Sequence, residues 1–498
     1  MPELTDEHSS NRAIHFDNQF LSLPEHFYTR LNPQGLTTPV FASVNHKLAA
    51  ELGLPDDLDQ NANFLKAMSG NALLEGSEPI AMKYTGHQFG YYNPDLGDGR
   101  GLLLGEQIDR QGRRWDWHLK GAGLTPYSRQ GDGRAVLRSS IREYLCGEAM
   151  HHLGIASTRA LCVVASREKV YREKPETGAM LLRIASTHIR FGHFEYCYYR
   201  KDEAGLRHLA DHVILTHFPQ WQDLPDKYER LLRNAIQRTA TMIAKWQAVG
   251  FCHGVMNTDN MSILGDTFDF GPFAFLDDFQ ANYICNRTDT GGRYAFNNQP
   301  NIGLWNCQCL AQAMLPLLGT HSDGEQIAIR LLKEYEPAFQ MAIVKAFRAK
   351  LGLQSEQEND HQLIQSLLNL MHANKVDYTR FFRNLCEFHS TQEHGDLRDH
   401  FVDREAFDIW SQQYGQRLAN EPIDRPTRES MMLQSNPKFI LRNYLAQRAI
   451  ERAEKGDFSE IGRLLTLLQA PFDEHEGFAA YTASPPDDSK GIALSCSS

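Results

Sequence analysis

A chain of 498 residues is too long for one ordinary hydrophobic core and points to two or three packed units. Its composition, 42% hydrophobic and 23% charged, is that of a globular protein, and no apolar run approaches the roughly 20 residues that span a bilayer, which argues against a membrane protein. A formal net charge of −11 argues against a broad nucleic-acid surface, which needs clustered Lys and Arg, while leaving room for a local basic pocket.

The opening MPELTDEHSSNRAIHFDNQF has neither the basic nor the apolar region of a secretory signal, and it is too acidic for a mitochondrial presequence. A cytoplasmic protein is expected. Residues 1–75 read as an N-terminal extension of short helical patterns and Pro-rich turns, with HKLAAELGLPDDL a short helix stopped at Pro55. Residues 76–200 read as a small, mostly antiparallel lobe. GLLLGEQI and WDWHLK are strands around a DRQGRR turn, and a helix over Ser139–Leu153 ends at Gly154. Two strand-like runs follow, ALCVVASREKVYRE and GAMLLRIAST. Residues 201–345 read as a helical lobe, led by the amphipathic YERLLRNAIQRTATMIAKWQAVG, with QCLAQAMLPLL and IAIRLLKEYEPAFQMAIVKAFRAKLG as further helices. Residues 346–480 continue the helical pattern, with SNPKFILRNYLAQRAIERAEKGD starting from a Ser-Asn-Pro cap, and 481–498 form a tail.

The chemistry concentrates in HGVMNTDNMSILGDTFDFG, residues 253–271. A protein-kinase catalytic loop runs H-R-D-x-x-x-x-N and is followed by D-F-G. His253 and Asn260 keep that separation and Asp269-Phe270-Gly271 is a literal D-F-G, but Val255 stands where the catalytic base belongs. Upstream lies LGDGRG, whose Gly97, Gly99 and Gly101 would let backbone N–H groups approach phosphate, beside the cation of Arg100. The same pattern suits a tight hairpin. Lys120 ends the WHLK strand in the place of a phosphate-binding lysine, with Glu143 as its acidic partner and Glu148 the competitor. Asn260 and Asp269 are hard-oxygen donors suited to Mg²⁺ or Mn²⁺, and MSILGDTFDFG reads as short strand, turn and strand end. Taken together, order and spacing predict an α+β, protein-kinase-like bilobal fold with an N-terminal extension and extra C-terminal helices. Asp259, just before Asn260, is an unusual carboxylate that suits a shifted proton acceptor, or else a loop cap or second metal ligand. Arg183 and Arg190 lie seven residues apart where a kinase faces adenine, and guanidinium forks suit phosphate instead.

The nine cysteines are too scattered for a disulfide scaffold, and Cys307-x-Cys309 lacks a second pair at zinc spacing. Cys496, in the terminal ALSCSS, has no packing explanation.

The stretches NPDLGDGRGLLLGE, HLKGAGLTPYSRQGDGRAVLRSSIREYL, RIASTHIRFGHFEY and HGVMNTDNMSILG resemble the selenoprotein O family, from about residue 15 onward. The resemblance implies a protein adenylyltransferase that moves AMP from ATP, or UMP from UTP, onto Ser, Thr or Tyr hydroxyls of proteins, itself included. It also implies a nucleotide flipped in a kinase-like cleft. Carried over by motif, Gly97, Gly99 and Arg100 line the loop, Lys120 contacts phosphate and pairs with Glu143, and Asp132 and Gly133 of RQGDGR contact the nucleotide. Arg183 and Arg190 hold the γ-phosphate, Asp259 accepts the proton, and Asn260 and Asp269 hold the metal. The C-terminal element of the family is Sec or Cys before two serines, here Cys496, and Cys285 is the expected disulfide partner. A kinase is the first alternative, weakened by Val255. An inert nucleotide-binding scaffold is the second, weakened by the complete Lys, Glu, Asn and Asp set.

Overall fold

The computed structural model describes residues 14–389, 395–489, 492, 494 and 495. It is a mixed structure of one large antiparallel sheet and many helices, divided into two compact units. One unit holds the described residues up to Lys83 together with Gly97–Ser140 and Arg159–His188. The other holds Tyr84–Leu96, Ile141–Thr158 and the described residues from Ile189 on.

The strands of the large sheet are β1 (Tyr28–Arg30), β2 (Val40–Val44), β3 (Ile80–Gln88), β4 (Tyr91–Gly97), β5 (Gly101–Ile108), β6 (Arg114–Lys120), β7 (Ala135–Val136), β8 (Arg159–Tyr171) and β9 (Pro175–Ala185); all but β4 and the end of β3 belong to the first unit. The sheet order is β1-β3-β5-β6-β9-β8-β2, with β7 beside β9. β3 carries the chain into the second unit, where it turns back into β4. The expected strands at 101–108 and 115–120 are present and pair antiparallel from Gly101–Lys120 to Ile108–Arg114. Alternate residues explain the face they bury: Leu102 and Leu104 on β5, Trp117 and Leu119 on β6, and Leu182 and Ile184 on β9 form one apolar layer. Leu48 of helix α1 (His46–Glu51) and Phe64 and Met68 of α2 (Ala62–Met68) cover it. Both helices start at an asparagine, Asn45 and Asn61, whose side-chain oxygen accepts from a first-turn N–H. The N-terminal stretch therefore holds more than helices and turns, since β1 and β2 add edge strands too short to show a period.

Helix α3 (Leu137–His152) ends as expected, with Gly154 at φ +76°. The second unit continues with α4 (Phe191–Tyr199), α5 (Glu203–His217) and α6 (Lys227–Val249). α6 buries Leu231, Leu232, Ala235, Ile236, Thr239 and Ile243 on one face and stops at Gly250, φ +72°. Strand β10 (Phe251–Cys252) pairs with β11 (Ala274–Phe275). Helices α7 (Gln299–Met314), α8 (His321–Leu332), α9 (Tyr335–Lys350), α10 (Asp360–Asn374), α11 (Tyr378–Leu385), α12 (Arg404–Leu418), α13 (Arg425–Ser435), α14 (Asn443–Ala453) and α15 (Ser459–Leu468) follow.

Three expectations are corrected. IAIRLLKEYEPAFQMAIVKAFRAKLG is two helices, α8 and α9, because Pro337 has no N–H to bond back one turn and is tolerated only in a first turn. Ser-Asn-Pro ends α13 instead of opening α14. Asn436 precedes Pro437 and is extended, φ −113°, ψ 102°, as a residue before proline must be. MSILGDTFDFG forms no strand; Ser262 and Thr267 make isolated bridges to Arg190 and Ser157. No helix among the described residues is long and apolar enough to cross a membrane.

Candidate active site

In the second unit, β10 delivers His253 into a buried, neutral role. Its Nε2–H donates to the Phe268 carbonyl at 3.0 Å, its Nδ1 faces the Val255 N–H at 3.4 Å, and its ring stacks on Trp246. Burial lowers its pKa, which keeps the imidazole uncharged. His253 thereby ties its own loop to the residue before Asp269. Asn260 donates its amide to the Val255 carbonyl at 3.0 Å, which fixes the orientation of that side chain.

Asp259 sits in the 3₁₀ turn Thr258–Asn260 and is buried. Its Oδ2 accepts from Gln88 Nε2 at 3.2 Å, while its Oδ1 is buried without a hydrogen-bond partner. Burial pushes its pKa up to about 7, against the opposing pull of Arg190. An unsatisfied, nearly neutral-range carboxylate is costly for a fold and useful for proton transfer. Asp269 takes the left-handed conformation, φ +59°, uncommon outside glycine and held where surroundings over-determine it. Its partner is Arg190, whose Nη1 donates to Asp269 Oδ2 at 2.5 Å and to the Asp259 carbonyl at 2.6 Å. The Arg190 guanidinium lies 4.6 Å from the ring centres of both Tyr84 and Phe268. So Arg190, expected as a phosphate ligand, also joins the two acid-bearing loops. The carboxylate of Asp269 and the amide oxygen of Asn260 are hard donors of the kind that fits Mg²⁺ or Mn²⁺.

In the first unit, Lys120 is buried at the end of β6, opposite Gly101 on one side and Leu181 on the other. Arg183 is buried on β9 opposite His118. The glycine loop is shaped by packing. A Cβ on Gly97 would fall 2.5 Å from the Tyr127 ring, one on Gly99 2.8 Å from the Tyr127 carbonyl, and one on Gly101 2.3 Å from His118. Thr125 and Ser128 hydroxyls hold the carbonyls of Asp98 and Gly99. Arg100 is exposed. Asp132 forms a two-pronged pair with Arg172, at 2.7 and 3.0 Å, which lowers its pKa. Gly133, φ +71°, packs its α-carbon against Gly123 so closely that a Cβ would sit 2.1 Å away.

Of the two acids on α3, Glu148 is buried against His152 and Gln469, while Glu143 is also buried. Their neighbour Arg142 donates to the Phe273 carbonyl at 2.8 Å and to Asn443 at 3.2 Å. Cys285 is buried with its thiol 3.5 Å from the Cys252 carbonyl, and burial raises its pKa well above the ordinary thiol value. Cys307 and Cys309 are buried thiols pushed up to about 12. Cys496 lies outside the described residues.

A family model described as "Protein adenylyltransferase SelO" matches residues 11–469. The chain belongs to the SelO family. Curated relatives named "Protein nucleotidyltransferase YdiU" cover nearly its whole length: 50% identity to the one from Pseudomonas fluorescens (97% of this chain, 98% of the relative), 51% to Vibrio cholerae (98% and 99%) and 52% to Klebsiella pneumoniae (96% and 98%). This SelO-family chain is a nucleotidyltransferase enzyme. The sequence pattern did not single out Gln88, Arg172, Asn257 or Thr258, whose contacts hold Asp259, Asp132 and their loops. The run TGHQFGYY, polar side chains at a strand end between glycines, was the available signal for the first.

Proposed function

We propose that the chain transfers AMP from ATP, or UMP from UTP, to Ser, Thr or Tyr hydroxyls of proteins, its own included, in a kinase-like fold with the nucleotide flipped. The observation that carries this reading is Asp259: a buried carboxylate with one unpartnered oxygen and a pKa near 7, directly before Asn260, where Val255 leaves the usual base position apolar. Its Oδ1 takes the proton of the acceptor hydroxyl. The hydroxyl oxygen bonds to the α-phosphorus, the bond from that phosphorus to its bridging oxygen breaks, and pyrophosphate leaves. Lys120, partnered by Glu143, and the loop of Gly97, Gly99 and Arg100 hold phosphate, Asp132 and Gly133 contact the nucleotide, and Arg183 and Arg190 take the γ-phosphate. Asn260 and Asp269 would hold Mg²⁺ or Mn²⁺, which when bound neutralises developing phosphate charge. The site of action is the cytoplasm, on protein and not on nucleic acid or membrane.

ATP labelled at the α- or the γ-phosphate tests the reaction. Label on protein from the α-position alone is expected; label from the γ-position alone means an ordinary kinase and overturns the roles of Asp259, Arg183 and Arg190.

A Cys285–Cys496 disulfide would act as a redox gate on the segment after Asp269. Leu494 supports it: Leu494 bridges to Asn286, and its carbonyl accepts from Arg287 N–H at 2.9 Å, next to Cys285 in sequence. Mass mapping of the oxidised protein should find that linkage, and Cys496 always free would remove it.

A further inference from the structure

Three consecutive residues at the end of β3 and the start of the turn to β4 grip three consecutive residues of the loop that carries Asp259. The His87 N–H donates to Thr258 Oγ1 at 2.7 Å, Gln88 Nε2 to Asp259 Oδ2 at 3.2 Å, and the Phe89 N–H to Asn257 Oδ1 at 3.3 Å. The turn is itself constrained. Phe89 has φ +51° and Gly90 +88°, Asn93 Nδ2 orients the Gln88 amide by donating to its Oε1 at 3.2 Å, and Tyr294 OH accepts from Phe89 N–H at 3.0 Å. The approach is so close that a Cβ on Gly86 would lie 3.0 Å from Asp259 Cβ and Oδ1 and from Thr258 Oγ1.

Behind this contact stands Glu195 of α4, only 1% exposed. One of its carboxylate oxygens accepts from the Thr258 hydroxyl and the other lies 2.5 Å from His87 Nδ1. Thr258 thus gives its proton to Glu195 and takes one from the His87 backbone, so its hydroxyl has a single allowed direction. Tyr92, Tyr199 and Trp305 enclose the His87 ring. Gln88 touches the Asp259 carboxylate itself, and the other groups hold the neighbouring residues of its loop, Asn257 and Thr258.

We propose that Glu195, Thr258 and the His87–Gln88–Phe89 turn are positioning residues that aim Asp259 at the acceptor hydroxyl. This rests on Asp259 being the proton acceptor. A group displaced by about 1 Å from its productive geometry loses on the order of 10²-fold in rate. Cys309 Sγ also lies within 4.8 Å of the His87 and Glu195 donors, a set that zinc would accept, but the two Glu195 oxygens are already matched to two protein donors.

The experiment compares Thr258→Val, Thr258→Ser, Gln88→Leu and Glu195→Gln with Asp259→Asn in α-labelled ATP transfer. Thr258→Val and Gln88→Leu should lower kcat by roughly 10–100-fold with nucleotide KM within about threefold, and Thr258→Ser should restore most of it. Gln88 is only partly buried, so its variant reports even if Glu195→Gln does not fold. If Asp259→Asn is inactive while Thr258→Val and Gln88→Leu keep full kcat, the positioning role is wrong and the base assignment stands. If Asp259→Asn keeps its activity, the base assignment itself is wrong. One equivalent of zinc in the purified protein, lost together with activity in Cys309→Ser, replaces the hydrogen-bonded network by a metal centre.

Discussion

Replacing Asp259 by Asn is expected to lower transfer by about 10²–10⁴-fold and, at the same time, to raise the melting temperature at pH 8. The two effects have one cause. Burial raises the carboxyl from 3.8 to about 7, so the folded state resists ionisation that the unfolded chain accepts freely. The penalty is fully present above the folded pKa. It fades as pH falls from 7 towards 4, where the folded group is already neutral and the unfolded one is becoming so. Roughly three pH units at about 1.36 kcal/mol each put the upper bound on the order of 4 kcal/mol at pH 8. Thermal melts of the two proteins in EDTA, from pH 4 to pH 8, should converge at the acid end and separate at the alkaline end. Nucleotide binding should survive in the variant. Retained activity would remove Asp259 as base, and a pH-independent gap would show that its carboxyl is not the titrating group.

Arg442→Ala is expected to cost about 3–5 kcal/mol of stability. Arg442 is 1% exposed. Its Nη1 donates to Asp277 at 2.6 Å and its Nη2 to both oxygens of Asp377 at 3.0 Å. Asp377 is also the N-cap of α11 and accepts from the Ser484 hydroxyl at 2.7 Å. Truncation leaves the buried Asp377 carboxylate and the part-buried Asp277 carboxylate without their cation, a larger loss than the pair's own net worth. Arg442→Lys should recover only part of it, because one ammonium cannot serve both acids with a guanidinium's fork. Arg442→Met combined with Asp277→Asn and Asp377→Asn should recover more than either. Urea melts decide it, and a cost below about 1 kcal/mol would show the cluster to be dispensable. Asp277 lies six residues beyond Gly271, so the C-terminal helices hold the chain just past the D-F-G.

What could be read from the residues was local. β6 alternates apolar and polar residues along RWDWHLK, α6 carries a long apolar stripe with a glycine stop, and His253, Asn260 and Asp269 stand at a spacing that names their neighbours. What could not be read joins residues far apart in the chain. Gln88 and Asp259 are separated by 171 positions and His87 and Glu195 by 108, so no window of sequence contains either pair. Arg190 was legible as a cation but not as the tie between Asp259 and Asp269, since that needs the left-handed turn at Asp269. The loop glycines looked like a phosphate cradle or a hairpin, while the space their missing side chains leave is taken by Tyr127 and His118, unreachable by pattern.

The order in which the chain visits its two units has a consequence for synthesis. Residues 84–96 and 141–158 belong to a unit whose remainder begins only at Ile189. On the ribosome the first unit can close once His188 has emerged, but the hairpin carrying Gln88 must then wait about 71 further residues for Asp259. At about 5–20 residues per second that delay is roughly 4–14 seconds. Through it the turn that grips the Asp259 loop stands without its partner, a window in which chaperone capture and proteolysis compete with completion. A cut after His188 keeps all of the first unit but strips residues 84–96 and 141–158 from the second, so the second unit cannot be made alone by simple truncation.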